Sequence, residues 1–308
     1  MEKLFLLFSL IVHSSFSFAD NTDIAPLSSF GHNPGELKAH LYTPKAQHDA
    51  LVVLLHGCGQ DAVTFAKQSG FLAQAKLKGF ALLLPEQQNS NNAKLCFNWY
   101  NKNDHQAKSG ENLSLFNMIS SVKKSHKIKN TFIAGLSAGG AMTSIMLVHY
   151  PELFDSGAVI AGLPYPCADD LQQALSCMQQ GAPPSLLTSI IKETKNTKKD
   201  WPQLTIWVGN QDKIVNPINS HQLANQWLEL TGASSKSTQV MTKNPDLEIK
   251  NWSGLNKTIQ LQLVEFKSLG HGIPVKPELK GGGTSGPFLL SAPLSAAITL
   301  TKFWQLSS

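Results

Sequence analysis

Charge is scarce in this sequence. Charged residues make up 15% of its 308 positions and hydrophobic residues 42%, the balance of a globular chain rather than a disordered one. The net charge is +5, but the basic residues are scattered, apart from a run between Lys192 and Lys199. No aromatic interleaving or binding motif accompanies that run, so it reads as a solvated helix face or loop and no nucleic-acid partner is expected. Beyond the first residues no stretch is long and apolar enough for a membrane helix, so no membrane partner is expected either. No Cys-x-x-Cys pair is present, which disfavours zinc, and there is no internal repeat.

The N-terminus reads as a targeting signal. Met1-Glu2-Lys3 carries a lysine, Leu4 to Val12 is apolar, and Ser17-Phe18-Ala19 offers small residues for a signal peptidase. Cleavage is expected after Ala19, making residues 1–19 a signal peptide and residues 20–308 a single exported domain, extracellular or periplasmic. No cysteine lies near the cleavage point, so a lipid anchor is not indicated. The four cysteines are Cys58, Cys96, Cys167 and Cys177. An even count in an oxidising compartment suggests two disulfides, and four cysteines allow three pairings. Proximity along the chain favours Cys58–Cys96 and Cys167–Cys177.

What is present centres on the segment from Asn130 to His149. A short apolar run, Thr131-Phe132-Ile133-Ala134, reads as a buried strand, and an Ala/Met/Ile/Leu-rich stretch reads as a buried helix. Between them stands Gly135-Leu136-Ser137-Ala138-Gly139, a G-x-S-x-G pattern. A serine on a sharp strand-to-helix turn has strained dihedrals, and flanking glycines relieve the crowding. The turn also puts Ser137 at a helix N-terminus, where backbone N–H groups can hold a developing oxyanion. A plain Gly-rich connection would share the five-residue pattern; the strand before and helix after it favour a nucleophile.

The rest of the chain supplies candidate partners. Asp20 to Gly35 looks like an extended arm, Glu36 to Tyr42 like a half-exposed strand, and Ala50 to Leu55 like a strand buried on both faces. His56-Gly57-Cys58-Gly59-Gln60 follows at once, where backbone N–H groups can face a substrate. The N–H groups of Cys58 and Ala138 are the candidate oxyanion donors, and His56 reads as a structural histidine. One helix is expected over Ala62 to Lys78, and a strand over Phe80 to Leu84 that Pro85 stops. Trp99 and Tyr100, beside Cys96, are either core or the wall of a substrate cleft, and a Cys58–Cys96 bridge favours the cleft. Asn112-Leu113-Ser114 matches a glycosylation sequon. A helix is expected over Glu111 to Lys124 and a strand over Gly157 to Ala161. Pro164 to Lys199, with one helix near Asp169 to Gln179, reads as a small insertion over the site. Then come a strand at Leu204 to Val208, a helix at His221 to Leu230 and a polar irregular stretch from Thr231 to Lys257. A strand near a sheet edge (Thr258 to Phe266), a flexible link (Gly281 to Gly283) and a final helix (Ala292 to Gln305) complete the chain. The whole predicts an α/β-hydrolase fold: a mostly parallel central sheet with helices on both faces.

An activated serine needs a base, and the base needs an orienting carboxylate. In this fold the order is Ser, acid, His, each on a loop at a strand's carboxyl end. Of the downstream histidines, His221 falls in a helix, whereas His271 follows the last strand between two glycines. Asp212 directly follows a strand; Asp155, Asp169, Asp170 and Asp246 do not. The candidate triad is therefore Ser137, Asp212 and His271, working through an acyl-enzyme with no cofactor or metal.

Taken together, H-G-C-G-Q, Cys96-Phe97-Asn98-Trp99-Tyr100, G-L-S-A-G-G-A-M and the late Gly270-His271 resemble polyhydroxybutyrate depolymerases and the related esterases. The resemblance runs from about Glu36 to the final helix. It implies a secreted serine hydrolase of poly(3-hydroxybutyrate) or its oligomers, with the triad on the same residues, and it supports the Cys58–Cys96 bridge; a monomer is expected. The sequence departs from the family in two places. Ile273 stands where a G-H-x-W-P pattern carries tryptophan, which removes one aromatic wall of the groove. A separate polymer-binding domain after the last helix is not expected. Both favour oligomers, amorphous polymer or another ester over crystalline polymer. The alternatives are a feruloyl or acetylxylan esterase, a peptidase or thioesterase, and an inactive hydrolase fold that only binds.

Overall fold

The computed structural model describes residues 24–306 apart from 47, 195–199, 234–235, 241, 243 and 255–257. The signal peptide expected at residues 1–19, and most of the basic run, lie outside the described residues. In chain order the elements begin with β1 (Ile24–Pro26), β2 (Lys38–Tyr42), β3 (Ala50–Leu55), α1 (Ala62–Gln68), α2 (Phe71–Lys78) and β4 (Ala81–Glu86). They continue with α3 (Lys102–His105), α4 (Gly110–His126), β5 (Asn130–Leu136), α5 (Ala138–His149), a 3-10 turn at Pro151–Leu153 and β6 (Ser156–Ile160). Next are α6 (Leu171–Gln180), α7 (Pro184–Thr194), β7 (Gln203–Gly209), α8 (Ile218–Thr231), β8 (Thr238–Val240), β9 (Leu247–Ser253) and β10 (Ile259–Phe266). β11 (Ile273–Val275), β12 (Leu289–Ser291) and α9 (Ala296–Phe303) close the chain.

The continuous apolar runs become central strands because both faces of the sheet are covered. In β3, Leu51, Val53 and Leu55 enter one core while Val52 and Leu54 enter the other, and all are at most 1% exposed. α4, α5, α6 and α8 pack over the first face; α1, α2 and α9 pack over the second. The sheet runs β1-β2-β4-β3-β5-β6-β7-β10-β9-β8, parallel from β4 through β10 and antiparallel at both ends. That is the α/β-hydrolase arrangement of a mainly parallel sheet between helices. α5 is buried from Ala138 to Val148, which accounts for its Ala/Met/Ile/Leu composition. Among the described residues no helix is long and apolar enough to cross a membrane.

Several local expectations are corrected. The extended arm contributes a strand, β1, hydrogen-bonded along β2. The single helix over Ala62 to Lys78 is two, broken at Gly70, whose φ of 89° is left-handed. Pro85 does not stop β4. Its register with β3 ends at Leu83, so Pro85 pairs on one side only, opposite Ala39 of β2, where a proline is tolerated. The insertion carries a second helix, α7, which Pro184 starts rather than breaks. The stretch read as irregular holds β8 and β9, so β10 lies inside the sheet instead of near its edge. Asn112 of the sequon is fully buried in α4, with its amide donating to the carbonyls of His105 and Gln106, which removes it as a modification site.

The supposed Gly281–Gly283 link is a packed turn. Gly282 N–H donates to Leu279 O, Lys276 N–H donates to Gly282 O, and the turn seats against the α1–α2 junction. A Cβ on Gly70 would stand 2.6 Å from the Gly281 carbonyl oxygen and 2.8 Å from the Gly283 nitrogen. Gly70→Ala therefore adds a clash to a left-handed backbone. It is expected to cost about 1–3 kcal/mol, read as a lowered melting temperature in a thermal scan.

Candidate active site

Ser137 stands between β5 and α5 with φ 56° and ψ −117°, outside the region an L-residue prefers. Its N–H donates to Ile160 O at 2.9 Å, so the end of β6 holds the turn in place. The flanking glycines are needed for close approach. A Cβ on Gly135 would overlap the Gly139 carbonyl, and one on Gly139 would overlap the carbonyls of Leu55 and His56. The G-x-S-x-G spacing is thus imposed by how tightly α5 starts against β3 and β5.

The structure brings Ser137, His271 and Asp212 together across 134 and 59 residues of sequence. Ser137 Oγ lies 2.8 Å from His271 Nε2, and His271 Nδ1 lies 2.7 Å from Asp212 Oδ2. Asp212 Oδ1 accepts from the N–H groups of Ile214 and Val215 at 2.8 and 2.9 Å. With the carboxylate so oriented, Nδ1–H donates to Asp212 and Nε2 is left to accept the serine proton. The Asp212 and His271 side chains are 1% and 6% exposed. Backbone bonds join their two loops: Asn210 N–H donates to Phe266 O, and Gln211 N–H to Leu269 O. Gly209, at the end of β7, lets the loops touch, because a Cβ there would overlap the Leu269 carbonyl. The other candidates sit elsewhere. His221 is half exposed and faces Glu265 at 3.6 Å, Asp155 bonds the Thr131 N–H, Asp169 pairs with His105, and Asp170 caps α6.

The second turn, His56 to Gln60, faces Ser137. Cys58 is disulfide-bonded to Cys96, and Cys167 to Cys177. Among the described residues no protein acceptor engages the backbone N–H of Cys58 or Ala138. Gln60 Oε1 accepts from the Gly57 N–H at 2.8 Å and shapes the turn from inside. His56 is fully buried, with Nδ1–H donating to Gly57 O and Nε2 accepting from the Gln87 N–H. Burial lowers its pKa, keeping the imidazole neutral. Gln87 in turn donates from its side chain to Cys96 O and to Glu111 Oε1, and Glu111 Oε2 accepts from the Asn98 N–H. This chain, with the disulfide, ties the turn to the Cys96–Tyr100 segment.

A cavity of about 170 Å³ opens at Ser137. Leu136, Met178, Ile214 and Phe288 give it an apolar lining beside Gly57, Cys58, Gln60 and His271. Trp99 and Tyr100 are not part of that lining. Trp99 is 6% exposed, enters the core and meets Tyr100 edge-on. The Cys58–Cys96 disulfide ties this segment to the turn. Ile273, where the resembled pattern has tryptophan, is fully buried in β11. An aromatic ring nevertheless stands by the histidine: Phe288, whose ring centroid lies 5.9 Å from that of His271. It is 39% exposed and has φ 61°. Its carbonyl accepts from the Ile273 N–H at 2.8 Å, which ties it to β11. Sequence reading missed Met178, Ile214 and Phe288, because the contacts that place them are long-range. Among the described residues no group of His, Cys, Asp and Glu is arranged to hold a metal ion.

A family model described as esterase PHB depolymerase matches residues 38–243. Poly(3-hydroxyalkanoate) depolymerase C of Paucimonas lemoignei is 30% identical over 98% of this chain and 74% of its own length. Feruloyl esterase B of Talaromyces funiculosus is 24% identical over 82% of this chain and 73% of its own. Among solved structures, an acetyl xylan esterase from Aspergillus awamori matches with a TM-score of 0.70 at 22% identity, over 80% of this chain and 93% of that one. That last likeness concerns the fold.

Glu111 gives the turn's support a pH dependence. Burial, then the nearby Asp104 charge, push its carboxyl up to about 8 despite the N–H donors around it. Between the ordinary carboxyl range and that value the native state holds a proton the unfolded chain releases, so stability falls as pH rises through the window. The urea midpoint is expected to drop from about pH 5 to about pH 9, and Glu111→Gln, which cannot ionise, to flatten the drop. An unchanged slope would mean the carboxyl is already ionised in the native state.

Proposed function

We propose that this chain, which belongs to the esterase PHB depolymerase family, is an exported serine hydrolase that cleaves ester bonds of poly(3-hydroxybutyrate) or its oligomers through an acyl-enzyme. The observation that carries the reading is the Ser137–His271–Asp212 relay opening on an apolar cavity. The relay supplies ester chemistry. The lining of Leu136, Met178, Ile214 and Phe288 suits an aliphatic hydroxyacyl unit. Export is supported by the N-terminal pattern and the two disulfides.

The steps follow from the geometry. Ser137 Oγ attacks the ester carbonyl as His271 Nε2 takes its proton. Asp212 holds the imidazole tautomer and offsets the charge of the imidazolium. The carbonyl oxygen becomes an oxyanion, held by the N–H groups of Cys58 and Ala138; losing one such donor costs on the order of 3 kcal/mol in comparable sites. The intermediate collapses as His271 returns the proton to the leaving alkoxide, freeing the hydroxyl end of the chain. Water then gives a proton to His271 as it attacks the acyl-enzyme, and His271 passes that proton to Ser137 Oγ as the C–Oγ bond breaks and the carboxylic acid leaves.

A second reading has specific support. Feruloyl esterase B shares 24% identity with this chain, so an ester of a plant cell wall is the alternative substrate. Both readings use the same relay and differ in what fills the cavity.

Ser137→Ala is expected to abolish turnover and labelling by a fluorophosphonate probe while leaving the far-UV spectrum and melting temperature unchanged. Residual activity comparable to the parent would remove Ser137 as nucleophile. Asp212→Asn is expected to lower kcat by about 10³–10⁴-fold, read in steady-state assays. For the substrate, the parent is assayed on soluble 3-hydroxybutyrate oligomers, an amorphous polyester film, methyl ferulate and acetylated xylan. Release of 3-hydroxybutyrate with little action on the others is expected. Ferulate or acetate release alone would establish the cell-wall reading.

A further inference from the structure

The cavity at Ser137 is apolar except at one side chain that the relay does not use. Of the residues that line it, Gly57, Leu136, Met178, Ile214 and Phe288 carry no side-chain N–H or O–H, and Cys58 is held in its disulfide. Ser137 and His271 belong to the relay. Gln60 is left. It is half-buried, and its amide is committed on one side: Oε1 accepts from the Gly57 N–H at 2.8 Å. That bond fixes which way the amide faces, because only its oxygen can accept. Nε2, with two N–H donors, is therefore turned away from Gly57, and among the described residues no protein acceptor engages it.

The surroundings say what such a donor meets. A Cβ on Gly57 would stand 3.2 Å from Gln60 Oε1 and 3.5 Å from Leu136 Cγ, so the amide lies over the His56 turn beside the residue that precedes Ser137. On its other side Gln60 borders a second cleft of about 350 Å³, whose lining includes Lys38, Asp61, Glu86, Gln88 and Asn89. Gln60 thus stands where an apolar cavity meets a polar one. The backbone N–H groups of Cys58 and Ala138 are free for the oxyanion, which leaves Nε2 for a different oxygen. An aliphatic acyl unit with an oxygen on C3 offers methyl and methylene groups to the apolar lining and carries that oxygen past the attacked carbonyl. Buried there without a donor, the oxygen is costly; a donor placed to meet it turns the cost into selectivity.

We infer that Gln60 sets the acyl specificity of the site: Nε2 donates a hydrogen bond to the oxygen function on C3 of a 3-hydroxyacyl unit, which is a hydroxyl at a chain end and the next ester within a chain. The inference rests on the polyester reading above and names the residue that separates a 3-oxygenated acyl group from a plain aliphatic one. One amide does both jobs, its oxygen holding the turn and its nitrogen meeting the substrate. Feruloyl and acetyl groups carry no oxygen on C3 and gain nothing from this donor.

The test compares two acyl groups of like shape. kcat/KM is measured on the p-nitrophenyl esters of 3-methoxybutyrate and 3-methylpentanoate, which differ by an ether oxygen for a methylene; the ether can accept a hydrogen bond and cannot donate one. The parent is expected to favour the methoxy ester by about tenfold, the worth of one hydrogen bond to an otherwise buried oxygen. Gln60→Glu keeps an oxygen for the Gly57 N–H and replaces the donor by an acceptor of the same shape, and it is expected to lower that ratio by about tenfold. Gln60→Met loses both groups and is expected to lower the ratio equally while slowing both esters, since the turn loses its internal bond. Melting temperature and fluorophosphonate labelling of Ser137 verify that the variants fold. A ratio that neither substitution changes, with both esters slowed alike, makes Gln60 a support of the turn alone and overturns the proposal. A parent ratio near one overturns it too, even if oligomers are hydrolysed. Failure to hydrolyse 3-hydroxybutyrate oligomers, with the ratio still falling in Gln60→Glu, overturns the polyester substrate and leaves Gln60 as the selector of 3-oxygenated acyl groups.

Discussion

The site depends on one close approach. The first turn of α5 lies against the carboxyl ends of β3 and β5 with no room for a side chain at Gly135 or Gly139. That contact forces Ser137 to a positive φ and aims the N-terminal end of α5 at the cavity. A residue held at such dihedrals costs on the order of 1–3 kcal/mol. The cost is offset because α5 is buried along nearly its whole length between the sheet and α4. The hydrophobic core thus stabilises a backbone shape that the serine alone would not adopt. The surrounding strands deliver the other two groups to the same edge, since β7 and β10 lie parallel and end together.

Around Ser137 the structure spends buried polar groups on position. The His56 turn is clasped from three directions: by Gln60 within it, by the disulfide to Cys96, and by the chain from His56 through Gln87 to Glu111. A buried carboxyl is costly unless its hydrogen bonds are made. Here Glu111 accepts from Gln87 and from the Asn98 backbone, so its burial organises the segment following Cys96. That segment was expected to wall the substrate. It stiffens the turn behind the cavity instead, and the aromatic wall comes from Phe288, far along the chain.

The division between what could be read and what could not follows the range of the interactions. The elbow, the His56 turn, the buried strands and the order of Ser, Asp and His were legible because each has a local cause. Apolar runs reflect burial on both faces, and glycine pairs reflect backbone crowding. The errors fall where a distant segment decides. Gly70 breaks the helix because the Gly281–Gly283 turn sits on it. Pro85 is tolerated because β3 has already ended its pairing beside it. β9 forms on a weak pattern because β10 offers it an edge, and β8 because β9 offers the next one.

By itself, then, the sequence determined the fold class, the strand-to-helix turn at Ser137 and the residue types available for an ester-cleaving relay, because steric and hydrophobic periodicities are written in neighbouring residues. Tertiary structure alone decided that Asp212 orients His271 at 2.7 Å, that Met178, Ile214 and Phe288 close the cavity, and that Trp99 turns inward. These are contacts between segments tens to hundreds of residues apart. Their geometry arises only when sheet order and helix packing bring the loops to one edge.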